Sequence, residues 1–343
     1  MTPANPQEIY QDEIWQKSNC LEHERKLEES IWQILCNNNW QELVRVGTKT
    51  IWQRGDQQVV VSLVDDFQNI IPDRSQPLPR AFPTNTLVVT DNYISCPTNY
   101  GVFNTPLSFF GIYSYVTDYS WCPQRDFTFG INRMDFKRIQ LLLQLDQTLN
   151  IDHGYVNFNC VEAWDRHSAD ASTRFCDYLK YCANNQEQYQ LQNLSRRMPL
   201  CNYTETHEEI YTKGWLNIVI ETYSSDYVAS ISEKLMRCLV TPAPWIAFAG
   251  CHAMSYLESL GFDILADVVD HSYDSLREAQ HKMANFSACA ANTIASLKMQ
   301  NFPQLAQRCQ AAADHNTALL AQLNQQWETS SVTWLDQLAA RVK

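Results

Sequence analysis

The sequence predicts an α/β protein of two domains, and three observations carry that prediction. Trp215 to Ile220 is an apolar run that stops abruptly at Glu221, and a polar loop and a charged helix start, Ser230-Ile-Ser-Glu-Lys234, follow it. Two more short apolar runs, Val59 to Val64 and Thr86 to Thr90, each end in acid. Runs of this length, apolar at successive positions, are the pattern of strands buried on both faces, as in parallel sheets covered by helices. Finally, 343 residues suffice for two cores of ordinary size.

Taken in order, residues 7–45 place Leu21, Leu27, Ile31, Trp32, Leu35 and Trp40 at three-to-four spacing among Glu, Lys and Gln, which predicts a helix pair. The strands at 59–64 and 86–90 follow, separated by a proline-marked loop from Ile71 to Pro83. Residues 93–125 are rich in Tyr, Phe and Pro and read as aromatic loops, which either form core or offer surfaces on which sugars stack. Phe127–Ile131 is the next strand, and Ile139 to Leu149 the helix after it. Gly154–Asn159 is a further strand and Thr173 to Cys182 a further helix, whereas the Gln- and Asn-rich stretch 184–214 reads as loop. After Trp215–Ile220 come the helix Lys234–Val240 and a strand within Thr241–Gly250. The rest reads as helices at 276–286, 288–299, 302–327 and 330–342, on their Ala, Leu and Gln content.

Composition excludes several classes. Lys and Arg number 26 against 38 Asp and Glu, a net charge of −12, so a broad nucleic-acid face is disfavoured and a nucleic-acid acceptor would need a local basic cluster such as Arg196-Arg197. No stretch approaches the roughly 18 apolar residues of a membrane span, and the first residues lack a signal peptide's basic and apolar regions; a cytoplasmic location is expected. The 12 cysteines are scattered without a C-x-x-C pair and read as reduced thiols, mostly buried, with no structural metal. Glycines number nine, with neither G-x-G-x-x-G nor a Walker A motif. Any bound phosphate must therefore be held by cations and helix termini.

Two clusters answer that need. Ser230 and Glu233 have the spacing of a capping box, which explains them without a ligand. Lys234 has no such explanation, because a cation in the first helical turn opposes the helix dipole. A nucleotide diphosphate on the helix N-terminus would justify it, with Lys234 as the point charge and Glu233 receiving ribose hydroxyls. Arg133, Lys137 and Arg138 are likewise placed at the end of one strand and the first turns of the next helix. They serve the same purpose or are solvent-facing charges paired with Asp126 and Asp135. His153 and His167 are secondary candidates for proton transfer. Asp65, Asp66 and Asp91, at the ends of the first two strands, are candidate general bases, or simply turn residues. Asp65-Asp66 also admits a metal-binding reading, with Mn²⁺ or Mg²⁺ on an acidic pair after a strand.

The stretch Ile220-Glu-Thr-Tyr-Ser-Ser-Asp-Tyr-Val-Ala-Ser-Ile-Ser-Glu-Lys-Leu235 resembles the donor-binding segment of α-1,3-fucosyltransferases and their exostosin-like and viral relatives. Thr241 to Gly250, Tyr256 to Phe262 and Asp270-His-Ser-Tyr-Asp274 resemble their following segments, and the likeness covers roughly residues 125–280. Cys238 and Leu239 depart from that pattern, which leaves the sugar open.

The resemblance implies a GT-B fold, two Rossmann-like α/β domains with a helical C-terminal extension. It implies an acceptor domain at 1–124, a nucleotide-sugar domain at 125–280 and C-terminal helices at 281–343. The implied activity is transfer of a sugar from a nucleotide-diphosphate sugar to the hydroxyl of a glycan or other acceptor, with inversion and without metal or other cofactor. Arg133, Arg138 and Lys234 would hold the diphosphate, Glu233 the ribose and Glu221 the donor pocket, while Asp65, Asp66 or Asp91 would deprotonate the acceptor. By the same resemblance Arg166 and Arg174 are reserve candidates for the diphosphate. A metal-dependent GT-A enzyme using Asp65 and Asp66, and a non-catalytic sugar- or nucleotide-binding protein, are the rival readings.

Overall fold

A computed structural model describes residues 26–46, 49–62, 82–90, 93–94, 98, 100–104, 120–131, 136–158, 184–197, 210–221, 228–229 and 231–343. Asp65, Asp66, Asp91, Arg133, Arg166, His167 and Arg174 lie outside these residues, as does the helix expected at 173–182. The chain forms two compact units. Unit 1 takes residues 1–115, 227–233 and 317–343, and unit 2 takes 116–226 and 234–316. The division therefore differs from the one the sequence suggests: it falls at 115/116 instead of 124/125, and the C-terminal helical region is shared between the units instead of standing apart.

In unit 1, helix α1 (residues 26–37) presents Leu27, Ile31 and Leu35, at four-residue spacing, to a sheet. The helix expected to reach residue 45 ends here because Asn39 enters the left-handed region (φ 60°), which lets Trp40 N–H return to the Leu35 carbonyl at 3.0 Å. A five-stranded sheet follows, in the order β1-β2-β3-β4-β6. Its strands are β1 (Gln41–Val46), β2 (Lys49–Arg54), β3 (Gln57–Ser62), β4 (Thr86–Thr90) and β6 (Gly101–Asn104). β1, β2 and β3 are antiparallel neighbours, and Gly55, at φ 62°, makes the tight turn between β2 and β3. β3, β4 and β6 run parallel. A short pair, β5 (Tyr93–Ile94) with β10 (Val228–Ala229), completes the unit's strands among the described residues.

The unit 1 core joins both ends of the described chain. Val59, Val61, Val89 and Phe103 from the sheet pack with Trp334, Leu338 and Val342 of the last helix. Phe103 stacks on Trp334 (5.0 Å between ring centroids), and Trp40 Nε1–H donates to the Val342 carbonyl at 2.9 Å.

Unit 2 is built on a four-stranded sheet, all parallel, in the order β11-β9-β7-β8. Its strands are β7 (Arg125–Ile131), β8 (Gly154–Phe158), β9 (Gly214–Ile220) and β11 (Trp245–Phe248). Phe127, Phe129, Leu216, Ile218, Ile220 and all of β11 are buried, as expected for strands covered on both faces. One polar link crosses the sheet interior: Thr128 Oγ1–H donates to Asn217 Oδ1, its register neighbour, and Asn217 Nδ2–H donates to the Tyr211 carbonyl at 2.6 Å.

The helices of unit 2 are α2 (Phe136–Leu149), α3 (Asn185–Arg197), α4 (Glu233–Val240, counted from Lys234), α5 (Ala253–Ser259) and α6 (Ala279–Met299). α7 (Phe302–Val342) gives its residues to 316 to unit 2 and the rest to unit 1. α3 corrects the reading of 184–214 as loop: Asn184 Oδ1 accepts the Glu187 N–H at 3.0 Å, and Leu191 and Leu194 are fully buried. The breaks expected near residues 287 and 328 are absent, since neither point carries Gly or Pro and Ser and Thr alone do not stop a packed helix.

Candidate functional site

The strand order of unit 2 creates a specific place. From β7 the chain goes to β8 on one side, and then passes to β9 on the other side of β7 and on to β11. Successive connections thus leave β7 and β9 in opposite directions, which opens a crevice beyond their carboxyl ends. Open α/β sheets bind ligands at that switch point.

Glu221 is the residue that follows β9 there. Its N–H donates to the Phe248 carbonyl at 3.0 Å, which prolongs the ladder with β11 by one residue. The residue is 1 % exposed. A buried carboxylate is held only by neighbours that compensate its lost hydration, and Glu221 is engaged within the chain. Its charge reaches the next helix: burial first, and the Glu221 carboxylate second, push the Cys238 thiol well above the ordinary range.

α4 begins at Glu233, so Lys234 lies in its first turn, as the sequence predicts. The capping-box reading is corrected, because Ser230 would have to be the residue just before the helix and Glu233 the third within it. Leu235, Met236, Cys238, Leu239 and Val240 are buried, and Lys234 is half-buried at the helix start. Arg138 lies in the first turn of α2, the helix that follows β7. It is 5 % exposed and engaged within the chain, so the reading of it as a solvent-facing charge does not hold.

A further cation, Lys282, stands at the same edge and was not among the sequence candidates. It is 4 % exposed, in the first turn of α6, and its Nζ lies 5.9 Å from the centroid of the Phe248 ring at the end of β11. The criterion that singles out Lys234, a cation at the wrong end of a helix dipole, applies to Lys282 too. It was hidden because the sequence places the start of that helix at 276, whereas α6 begins at Ala279. Cys251 is buried next to it; burial raises its thiol, with Lys282 opposing the shift and Asp274 adding to it.

The Asp270–Asp274 segment has a structural task. Asp274 Oδ2 accepts the N–H groups of Met254 (3.1 Å) and Ser255 (3.3 Å), capping α5, while His252 takes the left-handed conformation before it (φ 62°). His271 Nε2–H donates to the Ile264 carbonyl at 2.9 Å, and its Nδ1 lies 3.3 Å from the Tyr273 hydroxyl.

His153 is placed away from the crevice. It precedes β8, at the amino edge of the sheet, where its Nδ1 lies 3.8 Å from Asp126, which also receives Lys298 Nζ at 2.6 Å. Both pairs are partly exposed and weak. Of the cysteines the structure describes, Cys238, Cys251, Cys289 and Cys309 are buried, whereas Cys36 and Cys122 are exposed. Among the described residues no His, Cys, Asp and Glu group is placed to hold a metal ion, and no helix is long and apolar enough to cross a membrane. No family model, curated protein or solved structure matches the chain.

Proposed function

We infer that the chain is a glycosyltransferase that takes its sugar from a nucleotide-diphosphate donor held at the carboxyl edge of the unit 2 sheet. The observation that carries this reading is that Glu221 lies at the switch point after β9 and Lys234 in the first turn of the helix that follows. A diphosphate there would meet the N-terminal dipole of α4 and the Lys234 ammonium, with Arg138, in the first turn of α2, and Arg133 adding charge. Glu233 would receive the ribose hydroxyls, and Glu221 would line the donor pocket.

The finer assignment is a GT-B enzyme working by inversion without metal. Two α/β units and a last helix divided between them support it. In this reading the cations stabilise the charge that develops on the leaving nucleotide diphosphate. One of Asp65, Asp66 and Asp91 accepts the proton of the acceptor hydroxyl as its oxygen attacks the anomeric carbon and the bond to the diphosphate breaks.

Calorimetric titration of nucleoside diphosphates and their sugars, with EDTA present, tests the donor site on wild type and Lys234→Ala. Micromolar binding of one nucleotide, weakened about tenfold or more by the substitution, is expected, since losing a phosphate-bound cation costs upwards of about 1.4 kcal/mol. Binding that needs added metal, or that ignores Lys234, overturns the assignment.

A further inference from the structure

In the register rows that all three parallel strands of unit 1 share, the residues are apolar until the last row. Val60, Val88 and Val102 form one row across β3, β4 and β6, and Val61, Val89 and Phe103 form the next. The row after that is Ser62, Thr90 and Asn104. Side chains at one register position of neighbouring strands lie on the same face, so the Ser62 and Thr90 hydroxyls stand side by side at the carboxyl edge.

Both residues are fully buried, and Ser62 Oγ has no hydrogen-bond partner. A hydroxyl hidden from water without a partner is costly, and where it persists it asks for an explanation. Thr86 Oγ1, at the amino end of β4, also lacks a partner, but its register neighbour on β3 is Gln58, and no row of short hydroxyl side chains forms there. The polar row thus marks the end of the sheet at which parallel strands receive ligands.

The geometry points to a second ligand site at this edge of unit 1, one that takes the hydroxyl groups of a neutral sugar through Ser62 and Thr90. The chemistry of the row selects the class. Each hydroxyl both donates and accepts, as sugar hydroxyls do, and the row holds no Lys or Arg to match a phosphate. The inference rests on the transferase reading only in naming this sugar the acceptor; the site itself is argued from unit 1 alone.

The test uses the full chain and a panel of neutral sugars: glucose, galactose, N-acetylglucosamine and lactose. Their binding is measured by saturation-transfer NMR and titration, beside nucleoside diphosphate titrations on the same samples. Wild type is expected to bind at least one sugar. Ser62→Ala and the near-isosteric Thr90→Val should each weaken it by about three- to tenfold, the effect of one hydroxyl hydrogen bond, and leave nucleotide affinity unchanged. Ser62→Ala removes a hydroxyl that bonds nothing in the protein, so its melting temperature should match or exceed that of wild type. Sugar affinity untouched by both substitutions overturns the inference. So does a wild type that binds nucleotide but no sugar, and then the donor-site reading stands. A chain that binds neither overturns both.

Discussion

The hydroxyl of Tyr273 holds both backbone groups of Ala247: it donates to the carbonyl at 3.0 Å and accepts the N–H at 3.3 Å. β11 ends the strand order of the unit 2 sheet, and alternate residues of such a strand turn their N–H and C=O outwards. One side chain thereby satisfies a backbone pair that would otherwise be an open, buried edge.

Replacing Tyr273 by Phe keeps the ring, with its edge-on contact to Phe286 at 4.9 Å between centroids, and removes only the hydroxyl, with its Ala247 bridge and its 3.3 Å contact to His271 Nδ1. The variant should lose about 2–3 kcal/mol, because a buried N–H and a buried C=O are both left without partners. Denaturant unfolding measures it. A loss below about 0.5 kcal/mol, the lower end for a single hydrogen bond, would mean that the edge is satisfied some other way.

Two glycines of the same sheet should respond oppositely to alanine. A Cβ on Gly214 would stand 2.8 Å from the Thr128 nitrogen and 2.9 Å from the Phe127 carbonyl carbon, backbone atoms that cannot step aside. Gly130 has nothing within 4 Å of its Cβ position. Gly214→Ala should cost on the order of 2 kcal/mol or more, and Gly130→Ala should be neutral or stabilising by up to about 1 kcal/mol. Thermal melts of the pair suffice, and equal melting temperatures would contradict the close approach of β7 and β9.

Acid should weaken unit 2 in two steps. Burial holds His271 below its ordinary value of 6.5, so the unfolded chain takes up that proton first and stability falls as pH drops below about 6.5. The second step involves two carboxylates. Burial alone would raise Asp263, but the Arg308 hydrogen bonds and the Leu265 N–H outweigh it; the Ser272 N–H lowers Asp270 against burial. Both therefore sit below the ordinary 3.8, and their contribution is lost as pH falls through about 4 and lower. Melting temperature followed from pH 8 to 3 should show both declines. His271→Gln should lower the plateau and flatten the first decline; an unchanged slope between about pH 6.5 and 5 would assign that decline to other groups.

Asn316 is fully buried near the middle of α7 and closes three hydrogen bonds. Nδ2 donates to the Leu239 (2.8 Å) and Asp263 (2.9 Å) carbonyls, and Oδ1 accepts the Asp263 N–H at 2.8 Å. Asn316→Leu keeps the branched heavy-atom shape, with bulkier methyls in place of the amide groups, and strands all three partners, for an expected loss of about 2–4 kcal/mol. Hydrogen exchange should locate the damage: the Asp263 amide should lose its protection. Full retention would contradict the bond.

The strands were legible wherever burial on both faces left a single chemical signature, as in Val59–Val61, Leu87–Val89 and Trp215–Ile220. β1 and β2 were not, because Leu43 and Val44 are 52 % and 47 % exposed and stand among Gln, Glu and Arg, a mixture that helix surfaces share. α3 is not legible because, among its described side chains, Leu191 and Leu194 alone are buried in a run of Gln and Asn. Glu221 could be found from the abrupt end of an apolar run. Lys282 could not, since its place at the end of β11 depends on where α6 starts and on packing between segments far apart in sequence. The contribution of residues 334–342 to the unit 1 core is long-range for the same reason.

That contribution has a consequence for synthesis. Unit 2 ends at Asn316, so all its residues exist while the last segment is still unmade. Unit 1 starts first and closes last, since Trp40 waits for Val342, a partner 302 positions later. Burying Trp334, Leu338 and Val342 contributes roughly 5–9 kcal/mol before ordering entropy is subtracted, which is comparable to the whole stability of an ordinary domain. During translation the faces of α1, β3 and β4 that meet this segment therefore stay uncovered, at the stage when exposed strands most readily aggregate. A nascent chain stalled before residue 334 should engage chaperones through the uncovered faces of α1, β3 and β4, although those elements left the ribosome long before.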